Sequence, residues 1–279
     1  MKSKQIRLAG VMAWPVSHSL SPRLHGYWLS QYGIKGSYFP LSVPPSHFPQ
    51  ALKNLPNTQF VGVNVTLPHK ETALAVVDVA DDTARRAGAV NTVIVKADGT
   101  LFGTNTDGYG FLENIRDNLP GWRGDTGPVV VLGAGGASRA VCSALLDEGV
   151  SEIRLVNRTE TRAKTLATEF GRSITTVPWS NREGALEGAQ LLVNTTSLGM
   201  TGKGELKISL EKLPLEALVC DIVYTPTETQ LLVAAKARGN AVVDGLGMLL
   251  HQASPGFQAW FGTKPDVNVK LRNFMSEKL

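Results

Sequence analysis

Short apolar runs alternate with longer amphipathic stretches along most of this chain, and that alternation predicts an α/β protein. Within residues 109–245, the run Pro128-Val129-Val130-Val131-Leu132 predicts a buried strand. Residues 137–148 follow as a helix that Gly149 ends, then 152–156 as a strand and 159–170 as a helix closed by Gly171. Residues 191–194, 219–224 and 241–244 predict three further strands. Strands separated by helices pair in parallel, with helices on both faces. This stretch therefore predicts one doubly wound domain.

The first hundred residues alternate too. Residues 6–13, 38–43 and 60–65 predict strands, and 22–32 and 83–87 predict helices. Residues 89–96 and 100–103 predict a hairpin around Asp98-Gly99. The helical stretches 248–261 and 267–275 are expected to return to this first unit. The expected division is a domain of residues 1–108 plus 246–279 and a second of 109–245. A chain of 279 residues is long enough for two cores.

Composition narrows the class. With 43% hydrophobic and 19% charged residues, the chain reads as an ordinary globular protein. No apolar run approaches the ~18 residues that a membrane span needs. The basic start, Lys2-Ser3-Lys4, is followed by an apolar run that Trp14-Pro15 interrupts, which argues against a signal peptide. Cys142 and Cys220 lie in apolar stretches without CxxC spacing and read as reduced packing residues of a cytoplasmic protein. Residues 1–106 hold 10 basic and 5 acidic side chains, against 18 and 19 in the remainder. The mild surplus suits either a solvated surface or a pocket for a small anion. Basic stripes with interleaved aromatics are missing, so no nucleic-acid partner is expected.

The run Gly133-Ala134-Gly135-Gly136-Ala137-Ser138 stands between a predicted strand and a predicted helix. There a helix N-terminus offers unpaired N–H groups, and glycines let a pyrophosphate approach the backbone. Gly133, Gly135, Gly136 and Ala137 are thus candidate dinucleotide contacts on a Rossmann-type domain. Ser138 replaces the third glycine and is small enough for close packing. Enzymes that use NAD carry an acid about 20 residues further on, at the end of the second strand. Here that position reads Val156-Asn157-Arg158-Thr159, with Arg162 one helical turn beyond. Arginines there suit a ribose 2′-phosphate, so the expected cofactor is NADP.

Several short polar runs crowd the first domain. Ser17-His18-Ser19-Leu20-Ser21-Pro22 precedes a helix, and Ser21 suits an N-cap, while Ser19 and Ser21 together could hold a carboxylate. Asn64, Thr66 and Lys70 follow a strand on a turn made by Pro68, and Asn91 sits in Gly88-Ala89-Val90-Asn91-Thr92. Asp107 closes Gly103-Thr104-Asn105-Thr106-Asp107 and, taken alone, reads as an N-cap. Such runs, crowded into one small domain, suit a polyhydroxylated ligand. The five histidines show no metal-binding spacing, and neither a GxSxG elbow nor a P-loop is present.

In combination, residues 17–22, 64–70, 88–92, 105–108, 133–137, 157–159 and Asp244-Gly245-Leu246-Gly247-Met248-Leu249 resemble the shikimate dehydrogenase family, in the right order and over nearly the whole chain. The resemblance implies that Ser19 and Ser21 hold the substrate carboxylate. It implies that Asn64, Thr66, Asn91 and Gln252 surround the ring hydroxyls, with Tyr224 near the cleft, and that Lys70 and Asp107 are the catalytic pair. Either Lys70 exchanges a proton or, staying charged, it stabilises the developing alkoxide. His69 departs from the aromatic that many members carry, which bears on local packing. The implied reaction is reversible, NADP-dependent reduction of 3-dehydroshikimate to shikimate, a step toward aromatic amino acids. A quinate or aminoshikimate dehydrogenase is the nearest alternative, and a non-catalytic NADP sensor the more distant one. The chain is expected to act as a monomer or homodimer.

Overall fold

The computed structural model describes residues 6–278, which divide into two compact units. The first comprises residues 6–106 with Leu250–Lys278, and the second is Asp107–Leu249. The first contains β1 (Arg7–Ala13), α1 (Ser21–Gln31), β2 (Gly36–Ser42), α2 (Phe48–Lys53), β3 (Phe60–Val65), α3 (Lys70–Val76), β4 (Val79–Ala80), α4 (Asp82–Ala87), β5 (Thr92–Val95) and β6 (Leu101–Thr104). The second contains α5 (Asp107–Asn118), β7 (Val129–Leu132), α6 (Gly136–Asp147), β8 (Ile153–Asn157), α7 (Glu160–Phe170), β9 (Ile174–Pro178), β10 (Leu191–Asn194), β11 (Leu218–Asp221), α8 (Gln230–Arg238) and β12 (Val242–Val243). Helix α9 (Gly245–Phe261) then carries the chain back into the first unit, which α10 (Val269–Ser276) completes.

The second unit is the doubly wound sheet that the hydrophobic pattern predicts. Its six strands run in the order β12-β11-β10-β7-β8-β9, all parallel. Alternate residues point to opposite faces of a strand. Val129, Val131, Ile153, Leu155, Leu191 and Val193 accordingly join one buried cluster, and Val130, Leu132, Val156 and Leu192 join the other. Both faces being covered, the strands need continuous apolar runs. The strand order reverses between β7 and β10, and ligands of such sheets bind at that switch point, beyond the carboxyl ends.

The first unit carries a mixed sheet, β2-β1-β3-β5-β6-β4. Strands β2, β1 and β3 are parallel, and β5–β6 is the predicted antiparallel hairpin, whose turn Asp98 fixes by accepting from the Thr100 amide at 3.0 Å. One buried cluster joins Met12, Phe48, Val63, Val65, Val90 and Val93. Trp28 and Trp260 are also buried, their indole N–H groups donating to the Asp266 and Val93 carbonyls, both at 3.1 Å.

Three expectations need correction. The strand predicted to reach Tyr224 stops at Asp221, because Asp221 Oδ1 accepts from the Val223 amide at 3.0 Å and turns the chain. The hairpin strand predicted from Ala89 begins at Thr92. The Ala89 and Val90 amides donate instead to the Ala84 and Lys70 carbonyls, at 3.1 and 3.0 Å. Lys70 is not on a turn but is the first residue of α3.

Candidate active site

In the first unit, the predicted polar residues gather around the C-terminal ends of β1 and β3 and the start of β5. Parallel pairing of β1 with β3 places Asn64 beside Val11 and Val65 beside Met12. The chain stays pinned beyond the strand: the Thr66 amide donates to the Met12 carbonyl at 3.1 Å, and the Val65 amide to that of Asn91 at 2.8 Å. Asn64 and Asn91 are buried together with Thr92 and Thr106. Asn64 Nδ2 donates to Thr92 Oγ1 at 3.1 Å, and Thr92 Oγ1 donates to Asn91 Oδ1 at 2.9 Å. Asn91 Oδ1 also accepts from the Thr106 amide at 3.0 Å, and the Thr106 hydroxyl donates to the Gln252 carbonyl at 2.7 Å. These bonds tie three of the predicted runs, and the helix bearing Gln252, into one polar cluster. Thr92 and Thr106 lay inside runs noticed in the sequence, but their joining role depends on contacts between residues far apart in the chain.

Lys70 opens α3, half-buried, behind the turn Thr66–His69, where the His69 amide donates to the Thr66 carbonyl at 3.0 Å. The departure at His69 is a packing feature. Its ring stacks on Phe48 with centroids 4.2 Å apart and planes 3° apart, and Nε2 lies 2.8 Å from the Val43 carbonyl. A carbonyl only accepts, so Nε2 carries the proton. Burial lowers the His69 pKa, and the bond to Val43 opposes that shift.

The serines differ from the capping reading. Ser21 is the first residue of α1, and the cap position falls to Leu20, whose side chain makes no capping bond. Ser19 Oγ accepts from the Ser21 amide at 3.3 Å. The Ser21 hydroxyl is therefore not spent on the cap.

In the second unit, Asp107 is buried at 8% exposure and is itself the first residue of α5, so its carboxylate lies in the helix's first turn rather than before it. Gly108 brings this turn directly onto α6: a Cβ there would meet the Ala140 carbonyl at 2.9 Å. Helix α6 opens at the glycine loop. Gly133 has φ +109, and a Cβ would meet Thr195 Oγ1 at 2.7 Å, so only glycine serves. Ser138, the substitute for the third glycine, donates to the Gly133 carbonyl at 2.7 Å and thereby fixes the loop from within. A Cβ on Gly135 or Gly136 would meet nothing within 4 Å. Internal packing gives no reason for those two glycines, whereas close approach of a pyrophosphate to the backbone does. Ala137 follows in the first turn of α6.

At the end of β8, Asn157 Nδ2 donates to the Thr159 carbonyl at 2.8 Å, and Thr159 stands at the cap of α7. Arg158 and Arg162 are exposed, and neither forms an ion pair among the described residues. The donor set therefore fits a phosphorylated dinucleotide: bare backbone at a helix start, and two guanidinium groups where the second ribose would lie. Tyr224 is half-buried, and burial raises its pKa. Beside it lies a network that the sequence reading missed. The buried Asp221 carboxylate accepts from Asn194 Nδ2 at 3.0 Å and Thr229 Oγ1 at 2.7 Å. Among the described residues, no cluster of side chains suits a metal ion, and no helix is long and apolar enough to cross a membrane.

Comparison with known proteins agrees with this geometry. Residues 11–93 match the shikimate dehydrogenase substrate binding domain, and residues 119–223 match the shikimate / quinate 5-dehydrogenase family. A relative from Paramagnetospirillum magneticum, named shikimate dehydrogenase (NADP(+)), is 57% identical over 273 residues, covering 98% of this chain and 99% of its own. The chain belongs to the shikimate dehydrogenase family. Another relative of the same name, from Rhodospirillum rubrum, is 54% identical, with 98% of each chain covered. Among solved structures, shikimate 5-dehydrogenase of Thermus thermophilus in complex with NADP(H) and shikimate superposes with a TM-score of 0.83 at 42% identity, covering 98% of this chain and 97% of that one. Quinate dehydrogenase of Corynebacterium glutamicum in complex with NAD gives 0.89 at 30% identity, covering 98% and 99%. As in these family members, the fold pairs a substrate domain with a dinucleotide-binding one.

Proposed function

We propose that this protein is an NADP-dependent shikimate dehydrogenase, interconverting 3-dehydroshikimate and shikimate on the route to aromatic amino acids. The observation that carries the reading is end-to-end similarity, at 57% identity, to an enzyme named for that activity. The first unit binds the substrate. Ser19 and Ser21 take its carboxylate, and Asn64, Thr66, Asn91 and Gln252 take the ring oxygens, joined by Tyr224 of the second unit. The second unit holds the cofactor. The amides of Gly135, Gly136 and Ala137 meet the pyrophosphate, Asn157 and Thr159 line the ribose, and Arg158 and Arg162 neutralise its 2′-phosphate. When bound, the nicotinamide accepts or supplies the hydride.

Lys70 and Asp107 manage the proton on the reacting oxygen. An oxygen that alternates between ketone and alcohol passes through alkoxide character, which a lysine stabilises by charge and by donating a hydrogen bond. Asp107 orients that donor and shares the proton. The enzyme works in the cytoplasm as a monomer or homodimer. The test is turnover of shikimate and of quinate, each with NADP and NAD. Efficient oxidation of shikimate with NADP, and weak oxidation in the other three combinations, is expected. Preference for quinate with NAD would replace this reading with the quinate dehydrogenase one.

A further inference from the structure

Asn64 is 6% exposed, and its amide is held from both sides. Nδ2 donates to the Asn91 carbonyl at 3.2 Å and to Thr92 Oγ1 at 3.1 Å. A backbone carbonyl only accepts, so the amide cannot be turned over, and both of its N–H bonds are committed within the protein. On the other side, the Tyr38 hydroxyl donates to Asn64 Oδ1 at 2.7 Å. Tyr38 is itself fixed. Its ring lies flat on His25, with centroids 4.0 Å apart and planes 2° apart, and Trp260 packs at 6.1 Å. Burial pushes the phenol well above its ordinary pKa, against a smaller opposing pull from the Ser21 side chain, so the hydroxyl keeps its proton and remains a donor.

An amide oxygen carries two lone pairs, and Tyr38 occupies one. We infer that Tyr38 is a positioning residue for substrate recognition: it holds Asn64 so that the amide meets a ligand only as a hydrogen-bond acceptor and selects a ring hydroxyl that donates. The inference rests on the assignment of Asn64 to the substrate site. Its chemical consequence is directional. A hydroxyl satisfies Asn64 Oδ1, whereas a keto or ether oxygen at the same place would set acceptor against acceptor, a mismatch that a polar site rejects strongly. Tyr38 need not touch the substrate for this. It keeps the amide oxygen from swinging and loses no bond of its own when the ligand arrives.

The test is steady-state kinetics of Tyr38→Phe, Asn64→Ala and the double variant. Phenylalanine retains the stack on His25 and removes the hydroxyl; because that hydroxyl also faces Ser21, the double variant tells an effect through Asn64 from one through Ser21. The expected result for Tyr38→Phe is an approximately ten-fold rise in KM for shikimate, the size of one lost neutral hydrogen bond, with kcat and the NADP KM within about two-fold. In the Asn64→Ala background, the same change should add less than about two-fold, because its effect runs through Asn64. Thr92→Val removes the support on the opposite side of the amide, together with a bond to Asn91, and should move the shikimate KM the same way, giving a second reading if Tyr38→Phe folds poorly. The inference is overturned if Tyr38→Phe and Thr92→Val leave the shikimate KM unchanged while Asn64→Ala raises it. It is also overturned if the Tyr38→Phe effect persists in full without Asn64. An unchanged KM in Asn64→Ala would remove Asn64 from the site and the inference with it, while wild-type turnover of shikimate would leave the enzymatic reading standing.

Discussion

Asn194 donates from Nδ2 to Asp221 Oδ1 at 3.0 Å, across the paired ends of β10 and β11. Asn194 Oδ1 in turn accepts from the Thr196 amide at 3.0 Å, and Asp221 accepts from Val223 and Thr229. One carboxylate thus ties down the two loops that follow these strands. Burial raises the Asp221 pKa to about 6, its three hydrogen bonds opposing the shift.

A stability profile follows from that position. Between about pH 4 and 6 the folded chain keeps a proton on Asp221 that the unfolded chain has released. The stability from this group is therefore full below about pH 4 and is lost as pH rises through 6, by about 3 kcal/mol at most. Asp221→Asn keeps the shape, and its amide N–H can donate to the Thr229 hydroxyl. The variant's Tm should gain on wild type as pH rises from 4 to 7. Parallel Tm curves for the two proteins would show that Asp221 does not titrate in this range.

Lys70→Ala should lower kcat by roughly two to four orders of magnitude, the range of general acid–base contributions, while the shikimate KM changes much less. In the proposed role, the lysine meets charge that develops chiefly in the transition state. Retention of more than about a tenth of wild-type kcat would rule out the assignment.

Ser21→Ala should weaken shikimate about ten- to hundred-fold, the worth of one hydrogen bond to a carboxylate, with NADP binding unaffected. Because Leu20 and not Ser21 holds the cap, the variant's Tm should stay close to wild type. Calorimetric titration with each ligand decides between the roles. A lower Tm with intact shikimate affinity would mean that the hydroxyl serves the helix after all.

Arg158→Ala should cut the ratio of kcat/KM for NADP to that for NAD by roughly ten- to hundred-fold, Arg162 compensating in part. Arg158 is exposed and forms no ion pair among the described residues, so its loss should leave Tm unchanged. A ratio that does not move would place the 2′-phosphate elsewhere.

What the sequence made legible follows from how local the signals are. The run Val129–Leu132, then glycines, then an amphipathic helix declares itself within twenty residues, and the structure reproduces it. Strand β9 did not, because it lies at the sheet edge and its residues 175 and 176 are exposed, which erases the apolar run. Helix α3 was hidden by its length of seven residues and by Pro68 just before it. Of the candidate site, Asn64 and Lys70 were visible as members of a motif. Tyr38 was not: its partner lies 26 residues away, and an aromatic in a strand looks like any core residue until the sheet is folded. Asp221 was masked in the same way, as one acid at the end of an apolar run.

The two thiols of the second unit have a practical consequence. Cys142 and Cys220 sit in the same apolar cluster at 0% and 2% exposure, and burial pushes the first up to about 12 and the second higher than its ordinary value as well. A modifying reagent attacks the thiolate, so neither can react while the domain is closed. The chain therefore carries its own unfolding clock. At neutral pH, the rate at which a thiol reagent labels it counts the openings of the dinucleotide-binding domain alone. Any slowing of that rate when NADP is added measures how far the cofactor holds that domain shut.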